Sequence, residues 1–198
     1  MSLAGLVLSP TAQLQGASDT EAELVARLVA SDPAAVGEVY DQHHRAVRHF
    51  ASRLVGDRAA AEDLVHEVFV SLPREMRRYR FESSLRTFLI SIAVNHARHH
   101  VRAAVRRRSA MDRLALEPER KVSDPEQLQR RRELALLLTR ALDSLPLDQR
   151  VAFVLCEVED RTSREVAEIT GVPEGTVRTR LHHAKKKLRA ELSQAGLE

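Results

Sequence analysis

Apolar side chains recur along most of this chain at the spacing of amphipathic α-helices, and no segment alternates in the manner of a β-strand. In one stretch the residues expected to be buried fall at relative positions i, i+3, i+4, i+7 and i+11: four apolar residues, Leu85, Phe88, Leu89 and Ile92, followed by His96. A second stripe lies near the C-terminus, at Val177, Leu181, Ala184 and Leu188. Each set lies on one face of a helix. The pattern therefore predicts an all-α protein.

Capping residues and helix breakers indicate where several of these helices begin and end. Thr20 and Glu23 stand in capping-box spacing ahead of an N-terminal helix. Asp32–Pro33 combines a cap residue with proline at the first helical position. Gly56–Asp57 ends that helix and opens the next one, which Pro73 is expected to end.

Periodicity fades between residues 109 and 123, where charges of both signs mix. We interpret residues 109–127 as a flexible linker, because the fading pattern offers no apolar face to pack. The linker separates a helical module over residues 19–108 from a second over residues 128–192. Residues 1–18 are expected to form a flexible leader. The sequence thus predicts two helical domains with a flexible joint.

The net charge of the 198 residues is only +3, but the cationic residues are concentrated in two blocks. Residues 95–108 contain five Arg and three His, and residues 176–189 contain six Lys or Arg and two His. Neither block contains an acidic residue. Because solvated surfaces usually mix both signs, two such blocks on a near-neutral chain indicate two contacts with a polyanion.

The C-terminal block lies in a predicted helix-turn-helix. Thr162 and Glu165 form a capping box ahead of a short helix, Gly171 makes the turn, and Glu174 begins the last helix. The face opposite the apolar stripe of this last helix suits the major groove of DNA. The residues predicted to read DNA are Thr176, Arg178, Thr179, His182, His183 and Lys186. Lys186 belongs to this face, and together with Lys185, Lys187 and Arg189 it is expected to lie mainly near phosphates.

The N-terminal block follows a loop in which arginine alternates with aromatic residues. An aromatic ring on which a base can stack, flanked by cations that attract the nucleic-acid backbone, is the combination that binds an unpaired nucleotide. The candidates are Arg77, Tyr79, Arg80 and Phe81 in the loop, and Asn95, Arg98 and Arg102 on the helix after it. The alternative is that the two rings simply fill the helix junction.

A third predicted surface is acidic and lies on the helix over residues 59–72. If Ala61, Leu64, Val65, Val68 and Leu72 pack inward, the outward side shows Asp63, His66, Glu67 and Val70. An acidic face is unsuited to DNA. It is either a solvated face or a docking surface for a partner helix.

Four stretches now carry a resemblance to a known family: AEDLVHEVF (61–69), RRYRFESSLRTFLISIAVN (77–95), LPLDQRVAFVL (145–155) and SREVAEITGVPEGTVRTRLHHAKKKL (163–188). Residues 59–108 resemble the second conserved region of sigma factors and residues 128–192 the fourth, with no third region between them. This arrangement is similar to the extracytoplasmic-function class of bacterial sigma factors. The chain departs from the family at four places. His66 stands where Gln is usual, and Glu159 stands where Gly or Tyr is more usual. Trp is common in the family at the position of Phe88 and near Pro73.

The resemblance implies a transcription initiation factor with no cofactor and no small-molecule substrate. The outward face of residues 61–70 would dock on the clamp coiled coil of the largest subunit of core RNA polymerase. The loop over residues 77–84 and Asn95 would capture a flipped base of the −10 promoter element. The last helix would read the −35 element. An anti-sigma factor is a further expected partner.

Two other classes of function fit the sequence less well. A stand-alone helix-turn-helix regulator would leave the arginine–aromatic loop and the acidic face unexplained. A metal-binding or enzymatic role would rest on the histidines, and His96 and His100 share i, i+4 spacing, but two histidine clusters lie in basic blocks that repel a cation. We therefore predict neither a metal site nor an enzyme. Cys156 is expected in the core, and the lack of a signal peptide or membrane span predicts a cytoplasmic protein.

Overall fold

The computed structural model describes residues 21–114 and 126–194, and it confirms the all-α prediction. Both ranges consist of helices joined by turns, and neither contains a strand. The predicted leader, the Thr20 cap and residues 115–125 of the predicted linker lie outside the described residues. Within the two ranges, no helix is long and apolar enough to cross a membrane.

The N-terminal module contains four helices: α1 (21–29), α2 (Pro33–Val55), α3 (Arg58–Glu75) and α4 (Leu85–Leu114). A 3₁₀ turn, Met76–Arg78, follows α3. Helices α2, α3 and α4 pack against one another around fully buried side chains that include Phe50, Leu64 and Leu89. The five residues predicted to face inward on α3 are all buried.

The C-terminal module contains α5 (Glu126–Asp143), α6 (Leu147–Phe153), α7 (Ser163–Thr170) and α8 (Glu174–Gln194). A π-helical turn, Val154–Val158, continues α6. Helix α8 packs on α5, α6 and α7 and buries Val177, Ala184 and Leu188, as its stripe predicts. Leu181, the fourth member of that stripe, is partly exposed. Helices α7 and α8 form the predicted helix-turn-helix.

The local capping signals act as the sequence predicts. Asp32 accepts a hydrogen bond from the backbone N–H of Ala34 at the start of α2. Thr162 and Glu165 form a reciprocal capping box at the start of α7. Gly56 and Gly171 end α2 and α7 with φ of 68° and 67°, a left-handed conformation that glycine adopts without steric cost.

Three boundaries differ from the sequence interpretation, one of them being the start of α5 at Glu126, inside the predicted linker. Pro73 lies inside α3, which continues to Glu75. A proline there removes one backbone donor in the final turn, where the loss of one bond does not stop the helix. Helix α4 continues to Leu114, so residues 109–114 of the predicted linker are helical. Strong helix formers, including Ala110 and Met111, extend it without an apolar stripe.

The described helices of the two modules are in contact. Helix α7 packs against α4, and the π-helical turn packs against α2. Val151, Leu155 and Ile169 of the C-terminal module belong to the same buried cluster as the core of the N-terminal module. The helix-turn-helix is thereby held beside the arginine-bearing helix α4.

Candidate nucleic-acid interface

The arginine stripe of α4 faces solvent on the side opposite to the core. Leu89, Ala93 and Ala97 are buried on one side of the helix, while the predicted stripe of Asn95, Arg98, Arg102 and Arg106 is exposed on the other. Within the described residues, none of these three arginines forms an ion pair with a carboxylate. Their guanidinium groups therefore present a row of uncompensated positive charge, which attracts phosphates.

The loop before α4 presents one aromatic ring to solvent. Phe81 is 52% exposed and has a φ of 57°, a left-handed conformation that is strained for a residue other than glycine. Arg77 and Arg80 are also exposed in this loop. An exposed ring beside two cations is the arrangement that the sequence predicts for binding an unpaired base.

Tyr79 requires a correction, because it does not present a ring to solvent. It is only 9% exposed, and its single hydroxyl proton is shared between two acceptors, the carbonyl of Ser83 and the carboxylate of Glu21 in α1, at O···O distances of 2.6 and 3.0 Å. Burial and the bond to Glu21 raise the pKa of this hydroxyl far above its ordinary value. The ring lies 4.9 Å from those of Phe81 and Phe88, centroid to centroid. Tyr79 thus fills the helix junction and supports Phe81 from beneath.

An open cleft of about 670 Å³ joins the loop to α4. Arg77, Arg80 and Asn95 line one side of it. The C-terminal end of α7, including Glu168 and Thr170, lines the other. The cleft therefore brings these three sequence-predicted residues together, with the second module opposite them, whereas Phe81, Arg98 and Arg102 do not line it.

The outer face of α8 is the second exposed cationic surface. Arg178, Thr179, His182, His183 and Lys186 are all exposed, and Thr176 is partly exposed. The guanidinium of Arg178 pairs with Glu174 one turn earlier, at 2.5 Å. Such an exposed pair is weak, so Arg178 is available to a stronger acceptor.

Two of the lysines that are predicted to lie near phosphates have partners within the protein. Lys185 pairs with Glu157 at 2.8 Å, and Lys187 donates to the backbone carbonyl of Ser144. Both side chains therefore reach back onto their own module. Lys186 and Arg189 are exposed, and the described residues provide no acidic partner for either.

The outward face of α3 combines apolar and acidic groups, as predicted. Asp63 and His66 are exposed, and Val70 is 66% exposed. A residue that the sequence interpretation did not assign to this face is Tyr40 of α2, whose partly exposed ring meets Phe69 edge-on. In the sequence Tyr40 follows Val36 and Val39 at helical spacing, a pattern that favours a buried position. The apolar surface beside the acids thus extends from α3 onto α2.

Glu67 is less free than the other members of this face. Its two carboxylate oxygens lie 2.8 Å from Nδ1 of His96 and 2.6 Å from Nε2 of His100, both on α4. Burial alone would raise the pKa of Glu67, but the hydrogen bonds and charges of His100 and His96 outweigh it and lower the pKa. His96, predicted to be buried, is therefore a half-buried partner of Glu67. This contact ties the outward face of α3 to α4.

Two further residues singled out in the sequence have structural partners. Glu159 follows the π-helical turn and stands where the resembled family more usually has Gly or Tyr. Its carboxylate accepts a hydrogen bond from Arg53 of α2 at 2.7 Å. Cys156 packs partly buried at the edge of the core, and burial raises the pKa of its thiol. A raised pKa keeps the thiol protonated and unreactive.

Comparison with known proteins places both modules. The family profile described as Sigma-70 region 2 matches residues 39–107, and that described as Sigma-70, region 4 matches residues 135–188. The ECF RNA polymerase sigma-E factor of Escherichia coli (strain K12) is 32% identical over 179 residues, which cover 85% of this chain and 92% of that protein. The ECF RNA polymerase sigma factor SigE of Mycolicibacterium smegmatis is 33% identical over 81% of this chain and 63% of its own length.

Solved structures agree with this result. The sigma factor RpoE of Bartonella quintana, in complex with the anti-sigma factor NepR, superposes with a TM-score of 0.53 and 25% identity. The match covers 79% of this chain and 96% of that one. CnrH, in complex with the cytosolic domain of CnrY, superposes with a TM-score of 0.58 over 86% of this chain and 96% of its own. At 20% identity, this second likeness shows the fold alone.

Proposed function

Because this chain belongs to the extracytoplasmic-function (ECF) sigma factors of bacterial RNA polymerase, we propose how its two modules divide the recognition of a promoter. The protein is a promoter-recognising transcription initiation factor. Our proposal assigns the −10 element to the N-terminal module and the −35 element to α8. The observation that carries it is the presence of two separate cationic faces, one on α4 and one on α8, with the exposed ring of Phe81 beside the first.

At the −10 element, the loop and α4 would hold an unstacked base and its strand. A base that leaves the duplex loses its stacking partners, and Phe81 offers a replacement surface. Asn95 has an amide that can donate to and accept from a base edge. Arg98 and Arg102 would neutralise the phosphates that follow. Tyr79 acts only indirectly, by supporting Phe81.

At the −35 element, the exposed face of α8 would enter the major groove. Arg178 is the candidate for a paired hydrogen bond to guanine, once it leaves Glu174. Thr179, His182 and His183 lie on the same face and would reach neighbouring base edges. Lys186 and Arg189 would contact phosphates at its margin.

The partners follow from the family. The outward face of α3, with Asp63 and Val70 exposed, is our candidate for docking on the clamp coiled coil of the largest subunit of core RNA polymerase. An anti-sigma factor is a second proposed partner, supported by the similar structure of RpoE in complex with the anti-sigma factor NepR. We propose a cytoplasmic protein without catalytic activity of its own, because its polymerase partner acts there and carries the chemistry.

Promoter binding measured with and without core polymerase tests this function. We expect weak binding of duplex promoter DNA by the chain alone and strong, sequence-selective binding after core polymerase is added. A stand-alone helix-turn-helix regulator would bind its site equally well in both conditions. Equal binding would therefore exclude the proposed function and favour that alternative.

A further inference from the structure

Three polar side chains form a cluster where the outward face of α3 borders α4. The carboxylate of Glu67 lies between two imidazoles, 2.8 Å from Nδ1 of His96 and 2.6 Å from Nε2 of His100. The two histidines are one turn apart on α4, so both rings approach the same carboxylate. Their side chains are 20% and 11% exposed, whereas that of Glu67 is 45% exposed. The two rings are thus largely shielded from water, while the carboxylate remains accessible to a partner.

His96 keeps its hydrogen bonds in either protonation state. Its Nε2 lies 3.3 Å from Oγ of Ser71, and that Oγ also lies 3.1 Å from the carbonyl oxygen of Val68. When His96 is neutral, Nδ1–H donates to Glu67 and Nε2 accepts from the hydroxyl of Ser71. When His96 is protonated, Nε2–H donates to Ser71, which turns its own proton towards Val68. The ring therefore gains a charge without losing a contact.

The two imidazoles fix the position of a side chain that would otherwise rotate freely. An exposed glutamate has many rotamers, and holding one of them at an interface costs conformational entropy. Because both carboxylate oxygens of Glu67 already have donors on α4, this cost is met before a partner arrives. The carboxylate is thus oriented in advance on the outward face of α3.

The same two rings set the charge of the cluster. A histidine side chain changes its charge between about pH 5 and 8. With both rings neutral, the cluster carries the single negative charge of Glu67, and with both rings protonated it is cationic. The neighbouring charged or titratable groups are Asp63 and His66, earlier on α3, and His99, whose ring meets that of His100 edge-on. Among the described residues, no charged group of α2 pairs with a member of the cluster.

We propose that His96 and His100 are positioning residues for polymerase docking, which hold Glu67 on the outward face of α3 and make the affinity for core polymerase fall as the pH falls. The acidic face fits a cationic surface of the partner, and protonation of the two rings removes this complementarity. Binding of a cationic partner therefore releases the protons that the rings carry at acidic pH. The inference rests on the proposed docking role of α3, and it adds the residues that set the strength and the pH dependence of docking.

Titration of core polymerase with the full chain, without DNA and at several pH values, tests the pH dependence. The double variant His96→Asn/His100→Gln places an amide N–H at each of the two donor positions but does not titrate. It should bind as tightly as the wild type at about pH 8, and about tenfold more tightly than the wild type at about pH 6. The ratio of the two affinities at each pH cancels any titration of the polymerase itself. A ratio that does not change with pH overturns the pH dependence.

His99→Gln is the matched control for this titration. His99 is exposed on the same helix and forms no hydrogen bond with Glu67 among the described residues. Its substitution removes one titratable ring from α4 but leaves both donors to the carboxylate in place. We expect the affinity of this variant to change with pH as that of the wild type does. Loss of the pH dependence in His99→Gln would assign the effect to His99 and overturn the proposal.

A double-mutant cycle at about pH 8 tests the positioning role. His96→Ala/His100→Ala removes both donors and should weaken docking about three- to tenfold, the cost of ordering one side chain at an interface. In a Glu67→Ala background the same two alanines should cost no further affinity, because the positioned carboxylate is absent. An equal loss in both backgrounds would show that the histidines act on the fold and not through Glu67, which overturns the positioning role. Should the alanine variants fail to fold, the amide variant at the two pH values still decides the proposal.

Asp63→Arg separates failure of this inference from failure of the proposed function. Asp63 lies on the same outward face but forms no ion pair with either histidine. If Asp63→Arg weakens docking while the histidine variants bind as the wild type does at every pH, the inference alone is overturned. If Asp63→Arg also binds core polymerase as the wild type does, the docking role of α3 is contradicted, and the inference fails with it.

Discussion

Asp57 illustrates how one side chain fixes a boundary between two helices. Its carboxylate accepts a hydrogen bond from the N–H of Ala60 at 2.8 Å and lies 3.1 Å from Arg107 of α4. The bond from Ala60 and, after it, the charge of Arg107 lower the pKa of Asp57, although its partial burial opposes them. The carboxylate is therefore ionised at neutral pH. It caps the start of α3 directly after the Gly56 turn that ends α2.

Asp57→Ala should reduce the free energy of unfolding by about 1 kcal/mol, the usual contribution of a helix N-cap. Asp57→Asn should lose much less at neutral pH, because asparagine is an equally good cap. The contribution of the ionised carboxylate is present above its unfolded pKa of about 3.9 and is lost as pH falls through the lower folded pKa. Urea titrations over this acid range should show that stability of Asp57→Asn depends less on pH than that of the wild type. If the free energies of unfolding of Asp57→Asn and of the wild type change with pH in parallel, the proposed contribution of the ionised carboxylate is contradicted.

Arg178 gives the sharpest test of a single DNA-reading residue. Arg178→Ala should cost the holoenzyme about 1–3 kcal/mol on its preferred −35 sequence and relax the preference at one or two base pairs, since a paired contact to guanine is lost. Arg189→Ala is the matched control and should weaken binding to all −35 sequences alike. It should also lower the slope of log binding constant against log salt concentration by about one. Binding to a set of −35 substitutions across salt concentrations separates the two effects. Uniform weakening by Arg178→Ala would make it a phosphate contact.

Helices α3, α4 and α8 each have a buried apolar face and an exposed functional face. On α8 the exposed face is basic, and on α3 it is acidic and apolar. On α4 two sides serve different contacts: His96 and His100 contact Glu67 of α3, whereas Asn95 lines the cleft beside the arginine–aromatic loop. Helix α4 thus connects the candidate docking face to the candidate −10 face.

Charge reversal tests the docking face of α3. Asp63→Arg should strongly weaken binding to core polymerase, because an exposed acid of the docking face becomes a cation. Glu67 is less suitable for a first test, since its reversal would also disturb His96 and His100. Glu62→Arg, on the same helix but beside Arg48, is the control and should bind normally. Equal affinities of both variants and the wild type in a titration with core polymerase would remove the docking assignment.

The −10 assignment of α4 predicts a defect in promoter opening. Asn95→Ala and Arg98→Ala should reduce open-complex formation more than closed-complex formation, because they lie beside the loop that would capture a base. Permanganate footprinting can compare a normal duplex with a template that is already unpaired at the −10 element. We expect the unpaired template to rescue both variants. Persistence of the defect would mean that α4 acts only on duplex DNA.

At the scale of the whole molecule, the sequence predicted the features that depend on neighbouring residues. Asp32, Thr162 and Gly171 were identified from spacing alone, because a cap or turn involves residues only a few positions apart. The burial of Tyr79 was left as one of two alternatives, since it depends on Glu21, 58 positions away. The bond from Arg53 to Glu159, which spans 106 positions, was not predicted. Such contacts are set by the packing of modules, and a single sequence carries little local signal for them.

Run-off transcription with purified core RNA polymerase on a library of promoter sequences tests the central claim most directly. The account predicts that adding the full chain yields transcripts from a subset of promoters that share −10 and −35 elements. It also predicts that Asp63→Arg abolishes them and that Arg178→Ala changes which −35 sequences are used. A folded chain that binds promoter DNA but directs core polymerase to no promoter in the library would contradict the account.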